Sequence, residues 1–110
     1  MSGPLEGTKV LSFGRMLSGP YATMLLADLG AEVVKIEAPK IGDLARFASP
    51  FIDKLSSYFL SINRGKKSIT LDLKREGAKK VVFDLAKGAD ILLENYTPLW
   101  LKPLLMAGMI

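Results

Sequence analysis

Residues 9 to 37 read KVLSFGRMLSGPYATMLLADLGAEVVKIE, and this stretch decides the fold. Lys9 to Phe13 is a short apolar run followed at once by Gly14, the pattern of a buried strand ending in a turn. Gly19 and Pro20 precede Tyr21 to Leu29. Proline suits the first helical position, because the amide it lacks would be unpaired there, and Gly30 supplies the stop. Glu32 to Glu37 (EVVKIE) is again short and rich in Val and Ile, and Ala38-Pro39 closes it as a second strand. Strand, helix and strand at these lengths fit a parallel crossover, which is right-handed in nearly all known cases.

The shape returns further along. Ser68 to Leu73 (SITLDL) alternates Ile69, Leu71 and Leu73 with polar residues, which is strand spacing. Ala78, Val81, Val82, Leu85 and Ala86 then form the stripe of an amphipathic helix that Gly88 ends, and Asp90 to Asn95 (DILLEN) reads as a fourth strand. Between the halves, Lys40 to Lys67 is less regular, with a short helix over Asp53 to Leu60 as the one element it suggests. A loop of that length in a compact domain is functional or wrongly assigned. The fold class expected is α/β, with a mostly parallel sheet of about four strands and flanking helices.

Composition narrows the chemistry. The chain has 110 residues, 49% hydrophobic and 24% charged, which is globular composition at the size of one domain. It contains no histidine and no cysteine, so imidazole bases, thiolate nucleophiles, disulfides and thiolate zinc sites are excluded from it. The net charge of +4 is modest and fits an anionic small molecule as well as a polynucleotide. Met1 to Val10 has neither the basic start nor the apolar run of a secretory signal. The longest uncharged stretch, Met16 to Ala27, is twelve residues, short of the roughly 20 needed to span a bilayer. A cytoplasmic protein with no membrane partner is expected.

In an open α/β sheet, ligands gather outside the carboxyl ends of the strands. Here those ends are Gly14 to Ser18, Glu37 to Asp43, Leu73 to Arg75 and Asn95 to Thr97. Gly14 to Gly19 has the glycine spacing of a phosphate loop but continues with Pro20 where that motif needs Lys, and it fails G-x-G-x-x-G as well. Plain packing of strand against helix is the commoner origin of such glycines, while the helix start near Pro20 remains able to meet an anion. Glu37 sits where a dinucleotide fold keeps its ribose acid. Arg64, Lys66, Lys67, Lys74, Arg75, Lys79 and Lys80 crowd one window, either as a solvated face or as a phosphate clamp. Aromatics do not interleave with them, which argues against a nucleic-acid partner. The acidic residues Asp28, Glu32, Glu37, Asp43 and Asp72 form no catalytic pair or metal cluster by spacing and read mostly as surface charges or caps, so no metal ligand is assigned.

Taken in order, Pro4-Leu-Glu-Gly7, Val10-Leu-Ser-Phe13, Ser18-Gly-Pro20, Leu26-Ala-Asp-Leu-Gly-Ala-Glu-Val-Val-Lys-Ile-Glu37, Gly42-Asp43, Arg46, Asn63-Arg-Gly-Lys-Lys-Ser-Ile69, Leu71-Asp-Leu-Lys74 and Ala89-Asp90 with Glu94-Asn-Tyr96 resemble the start of a family III CoA-transferase. That family includes formyl-CoA and carnitine CoA-transferases and the related 2-methylacyl-CoA racemases. The resemblance runs from Pro4 to Pro98. It implies a Rossmann-like segment that binds coenzyme A, with acyl-CoA and a carboxylic acid as substrates, no permanently bound cofactor, and a homodimer for the full-length enzyme. By the same resemblance, the coenzyme contacts fall on Leu17 and Ser18, on Leu71, Asp72, Leu73 and Lys74, and on Asn95, Tyr96 and Thr97. Ala38 stands where some members place an Arg on the nucleotide, so that contact is expected to be lost. The length between Gly42 and Asn63 is more similar to the transferases than to the racemases.

After Pro98 the chain departs from the family pattern, reading Leu99-Trp-Leu-Lys-Pro-Leu-Leu-Met-Ala-Gly-Met-Ile110. The family's catalytic Asp lies well beyond this point, and no residue here matches it. No catalytic residue is assigned. The chain is therefore expected to be a single, truncated CoA-binding segment with an atypical apolar tail over 99–110, inactive alone. A non-catalytic CoA-binding or subunit-interaction fragment and a racemase-like acyl-CoA enzyme are the alternatives.

Overall fold

The computed structural model describes residues 3–95. The chain runs through β1 (Lys9–Ser12), α1 (Ser18–Asp28), β2 (Glu32–Glu37), a 3-10 turn (Leu44–Phe47), β3 (Phe51–Ile52), β4 (Leu55–Ser56), α2 (Ser57–Ile62), β5 (Lys66–Thr70), α3 (Glu76–Lys87) and β6 (Ile91–Leu93). β5, β2, β1 and β6 lie side by side in that order, all parallel, and β3 pairs with β4 as a separate antiparallel hairpin. The α/β class, the parallel sheet of four strands and the flanking helices are as the sequence implies.

Period-two alternation sends β1 and β2 side chains to two different environments. Val10 and Val33 pack with Ala27 and Ala31 of the α1 side, while Leu11, Phe13 and Ile36 pack with Val82 of α3 on the other side. Phe13 has no solvent exposure and Val82 only 1%, each burial being worth about 2 kcal/mol. The α1 side changes character along the strands. Beyond Val10 and Val33 it presents Ser12, Lys35 and Glu37, all buried. Polar groups so placed require partners, and those partners build the site.

Four details differ from the sequence reading. The helix α1 starts at Ser18, with the Tyr21 amide donating to the Leu17 carbonyl at 2.8 Å, so Pro20 is the third helical residue instead of the first. Its missing N–H is equally harmless there, since the first four amides have no partner within the helix. β5 spans Lys66–Thr70, not Ser68 to Leu73, because its partner β2 ends at Glu37, before Ala38-Pro39, and the Leu71 amide makes the closing bond to the Glu37 carbonyl at 3.0 Å. Ile69, Leu71 and Leu73 do face the core, but the hydrogen-bond partner sets the strand's bounds.

The short helix expected over Asp53 to Leu60 is present but shifted, spanning Ser57–Ile62. Asp53 and Lys54 take φ of +49° and +65°, the tight turn of the β3–β4 hairpin, and α2 begins at Ser57, where the Ser56 hydroxyl accepts from the Phe59 amide at 3.2 Å. The fourth strand is shorter than Asp90 to Asn95. The apolar tail from Leu99 lies outside the described residues. Among the described residues, no helix is long and apolar enough to cross a membrane.

Candidate functional site

From β1 the sheet is built outward through β2 to β5, and the chain then returns to place β6 on the opposite side of β1. The order reverses between β1 and β6, which is where a doubly wound sheet opens its ligand crevice. The turn Gly14 to Leu17 stands at that point, after β1, and Asn95 follows β6.

Side chains from several parts of the chain hold this turn by its backbone. The Gly14 amide donates to the Ser12 hydroxyl at 3.1 Å, and the Gly14 carbonyl accepts from Lys35 Nζ at 2.8 Å. The Arg15 amide and carbonyl both bond the Asn95 side chain, at 2.9 and 2.8 Å. The Met16 amide donates to the Asp43 carboxylate at 3.1 Å, and the Met16 carbonyl accepts from the Tyr58 hydroxyl at 3.3 Å. Met16 itself is left-handed, with φ of +68°. No side chain caps the helix that follows, so the start of α1 faces outward without an internal acceptor at its Ncap.

The glycines have a packing role. A Cβ on Gly19 would lie 2.7 Å from the Gly14 Cα, and one on Gly14 would lie 2.9 Å from the Gly19 Cα. Turn and helix therefore touch backbone to backbone, which is the plain reading of the Gly14–Gly19 spacing.

Beneath the turn lies an ionic layer. Lys35 and Asp43 pair at 2.8 Å with their side chains 3% and 1% exposed, and Asp43 also accepts from the Ala45 amide at 3.0 Å. The Asp43 amide donates to Glu37 Oε1 at 3.0 Å. Arg46 grips Glu37 with two bonds of 2.8 Å, the Ser68 hydroxyl donates to the same carboxylate, and the guanidinium stacks 3.9 Å from the Phe59 ring centre. Burial works to raise the Glu37 pKa, but the bonds from Arg46, Ser68 and the Asp43 amide, with the Arg46 charge, bring it down to about 2. Glu37 occupies the position of a ribose acid, yet its oxygens are taken by protein donors. Nearby, Lys66 Nζ donates to the carbonyls of Pro20 and Ile62 and to Asn63 Oδ1, at 2.8, 3.2 and 2.8 Å. Burial and the charge of Lys35, partly opposed by Asp43, lower its pKa to about 7.

Of the residues assigned to the coenzyme by resemblance, Leu17, Ser18 and Asn95 come together at the turn, with Asn95 Nδ2 3.3 Å from the Ser18 hydroxyl. Leu71 and Leu73 pack into the α3 core, and Asp72 caps its own turn by accepting from the Lys74 amide at 3.1 Å. Lys74 is exposed beyond β5, two strands from β1 and so about 10 Å across the sheet. Tyr96 and Thr97 lie outside the described residues. Ala38 borders a hollow of about 200 Å³ whose lining includes Lys40 and Arg46.

The basic window divides. Arg64, Lys67, Arg75 and Lys79 pair with Asp28, Glu32, Asp72 and Glu76, and Lys66 turns inward, which leaves Lys74 and Lys80 without an ion pair among the described residues. Among those residues no acidic cluster could hold a metal ion.

Lys35 and Tyr58 were not singled out by sequence reasoning as parts of the site; of the acids read as surface charges or caps, Asp43 does cap the 3-10 turn through the Ala45 amide, but both it and Glu37 are buried and are not surface charges. One signal was available: Lys35 alternates with Val33 and Glu37 in EVVKIE, so a strand buried on both faces has to take a lysine inside.

The sequence model of CoA-transferase family III matches residues 5–107. Succinyl-CoA:glutarate CoA-transferase of Homo sapiens is 49% identical over 96 residues, covering 86% of this chain and 22% of that protein. Acetyl-CoA:oxalate CoA-transferase of Acetobacter aceti is 43% identical over 96 residues, covering 87% and 25%. The chain thus spans about a quarter of the length of the curated relatives it matches. Among solved structures, a CAIB/BAIF family protein from Brucella suis superposes with a TM-score of 0.86 at 37% identity, covering 94% of this chain and 29% of that one. Rv3272 from Mycobacterium tuberculosis gives 0.84 at 47% identity, covering 94% and 28%. Matched along nearly its whole length in sequence and in backbone, the chain belongs to CoA-transferase family III.

Proposed function

We propose that this chain is the N-terminal coenzyme-binding part of a family III CoA-transferase, whose full-length enzyme moves CoA between an acyl-CoA and a carboxylic acid. The observation that carries the reading is the turn Gly14 to Leu17, locked by side chains at the switch point of the sheet. Leu17 and Ser18 meet the coenzyme there, and the uncapped start of α1 offers amide donors to an anionic group. Lys74, beyond β5 and two strands from β1, supplies a mobile charge for a phosphate lying across the strand ends. Leu71 to Leu73 shape the strand end that carries Lys74, and Asn95 braces the turn, with Tyr96 and Thr97 continuing the same segment. No resident cofactor and no catalytic residue are proposed for these residues. The acyl transfer would be carried out elsewhere in the enzyme, in the cytoplasm.

The test is titration calorimetry of the chain with CoA. Binding is expected, and Lys74→Ala should weaken it by about 1 to 2 kcal/mol. An unchanged dissociation constant removes Lys74 from the site, and absence of binding by the wild type sinks the reading. Turnover of acyl-CoA donors by the chain alone would show that the nucleophile has been misplaced.

A second reading, a subunit-contact role, is favoured by the apolar side chains around the hairpin. Phe47, Phe51, Ile52 and Leu55 are each more than half exposed. A homodimer is expected on this reading, and a monomer by light scattering at high concentration would count against it.

A further inference from the structure

We infer that the buried Lys35–Asp43 pair is a positioning device for coenzyme binding, holding the turn Gly14 to Leu17 in the conformation that presents the start of α1. The inference rests on the coenzyme reading above, and adds to it the residues that shape the site without touching the ligand.

A buried ion pair is a poor way to gain stability, because an apolar pair of similar volume packs as well without the desolvation cost. This pair is almost wholly enclosed, and its bonds are directed at the turn. Lys35 Nζ reaches the Gly14 carbonyl at 2.8 Å, and both Asp43 oxygens face the Met16 amide, at 3.1 and 3.3 Å. The Asp43 carboxylate gathers donors from residues 16, 35 and 45 at once. Only an ionised carboxylate, with acceptor sites alone, satisfies them all; an amide would set an NH2 against one of the donors.

The turn needs such a brace. Met16 is left-handed at φ of +68°, a conformation with a penalty for any residue bearing a Cβ. Its amide points inward to Asp43, which orients the following peptide units outward as α1 begins. Asp43 in turn donates its own amide to Glu37, and Glu37 is clamped by Arg46. The chain of contacts thus runs from the β2 end through Asp43 to the turn, and none of these groups needs to reach the ligand.

The test separates positioning from bulk stability. In the double variant Lys35→Met with Asp43→Leu, both charges leave together, so no buried charge is stranded, and the Met16 amide loses its acceptor. It should stay folded, bind CoA at least ten-fold more weakly than the wild type, and show at least ten-fold faster hydrogen exchange at the Met16 amide. Val82→Ala, in the core beneath α3 and away from the turn, should lower Tm with CoA affinity held within two-fold. Should the double variant not fold, Asp43→Glu, which keeps the charge beside Lys35 but moves the carboxylate by one methylene, carries the same readouts. Wild-type CoA affinity in a folded variant overturns the inference, as does unchanged Met16 exchange, whether or not CoA binds. Absence of CoA binding by the wild type overturns the coenzyme reading instead, and faster Met16 exchange in the variant would still support the brace.

Discussion

Asn95 holds the backbone of Arg15 with both ends of its side-chain amide, accepting from the Arg15 N–H at 2.9 Å and donating to the Arg15 carbonyl at 2.8 Å. The two residues are 80 positions apart, so one side chain fastens the segment after β6 to the turn after β1. Asn95→Ala should cost about 1 to 2 kcal/mol in urea unfolding. Asn95→Asp should cost more, because it turns an oxygen towards the Arg15 carbonyl. Equal losses for the two variants would show that the Nδ2 contact is not made.

Acid should weaken the fold through Glu37. Its pKa is about 2 folded against an ordinary 4.5, so the unfolded chain takes up the proton first. The stabilisation is complete above pH 4.5 and is lost as the pH falls towards 2, amounting to about 3 kcal/mol at most. Urea midpoints between pH 6 and about 2 should fall more gently in Glu37→Gln than in the wild type; parallel curves would remove Glu37 from the acid transition.

Lys66 should act in the opposite range. Its folded pKa of about 7 lies below the ordinary 10.5, so between those values the unfolded chain binds more protons and stability rises with pH. With Lys35 and Asp43 facing it and three acceptors holding its ammonium form, the gain should be of order 2 kcal/mol. Lys66→Met should lower stability overall yet flatten the alkaline slope. An unflattened slope would place the titration elsewhere.

The fold was readable where one local rule governed it. Short Val and Ile runs closed by Gly14 and by Ala38-Pro39 marked β1 and β2, and the stripe through Ala78 and Val82 marked α3. The misses came where a distant partner decides. β5 begins at Lys66 because Val33 is there to pair with it, and nothing within residues 66 to 73 encodes that. The Asp53–Lys54 turn has Asp but lacks the glycine that usually follows it where both residues take positive φ, so its turn signal was weak. In the site, Leu17, Ser18 and Asn95 were named in advance and do converge, whereas Asp43 was named only within the segment after β2 and as a surface charge or cap. Its importance lies in contacts with residues 16 and 35, which spacing along the chain does not display.

The two faces of the sheet should also differ in when they form. Leu11, Phe13, Ile36 and Val82 can cluster by apolar collapse with no geometric demand, whereas Lys35, Asp43 and Glu37 give up water only once every partner is in place. The α3 side should therefore nucleate folding and the ionic side should close last. Val82→Ala should chiefly slow folding, with a φ-value above about 0.5, and Asp43→Asn should chiefly speed unfolding, with one near 0. Stopped-flow kinetics in urea would decide it, and the reverse ranking would show that the ionic layer assembles first. On this order of events, the turn Gly14 to Leu17 is the last part of the molecule to set and the first to loosen.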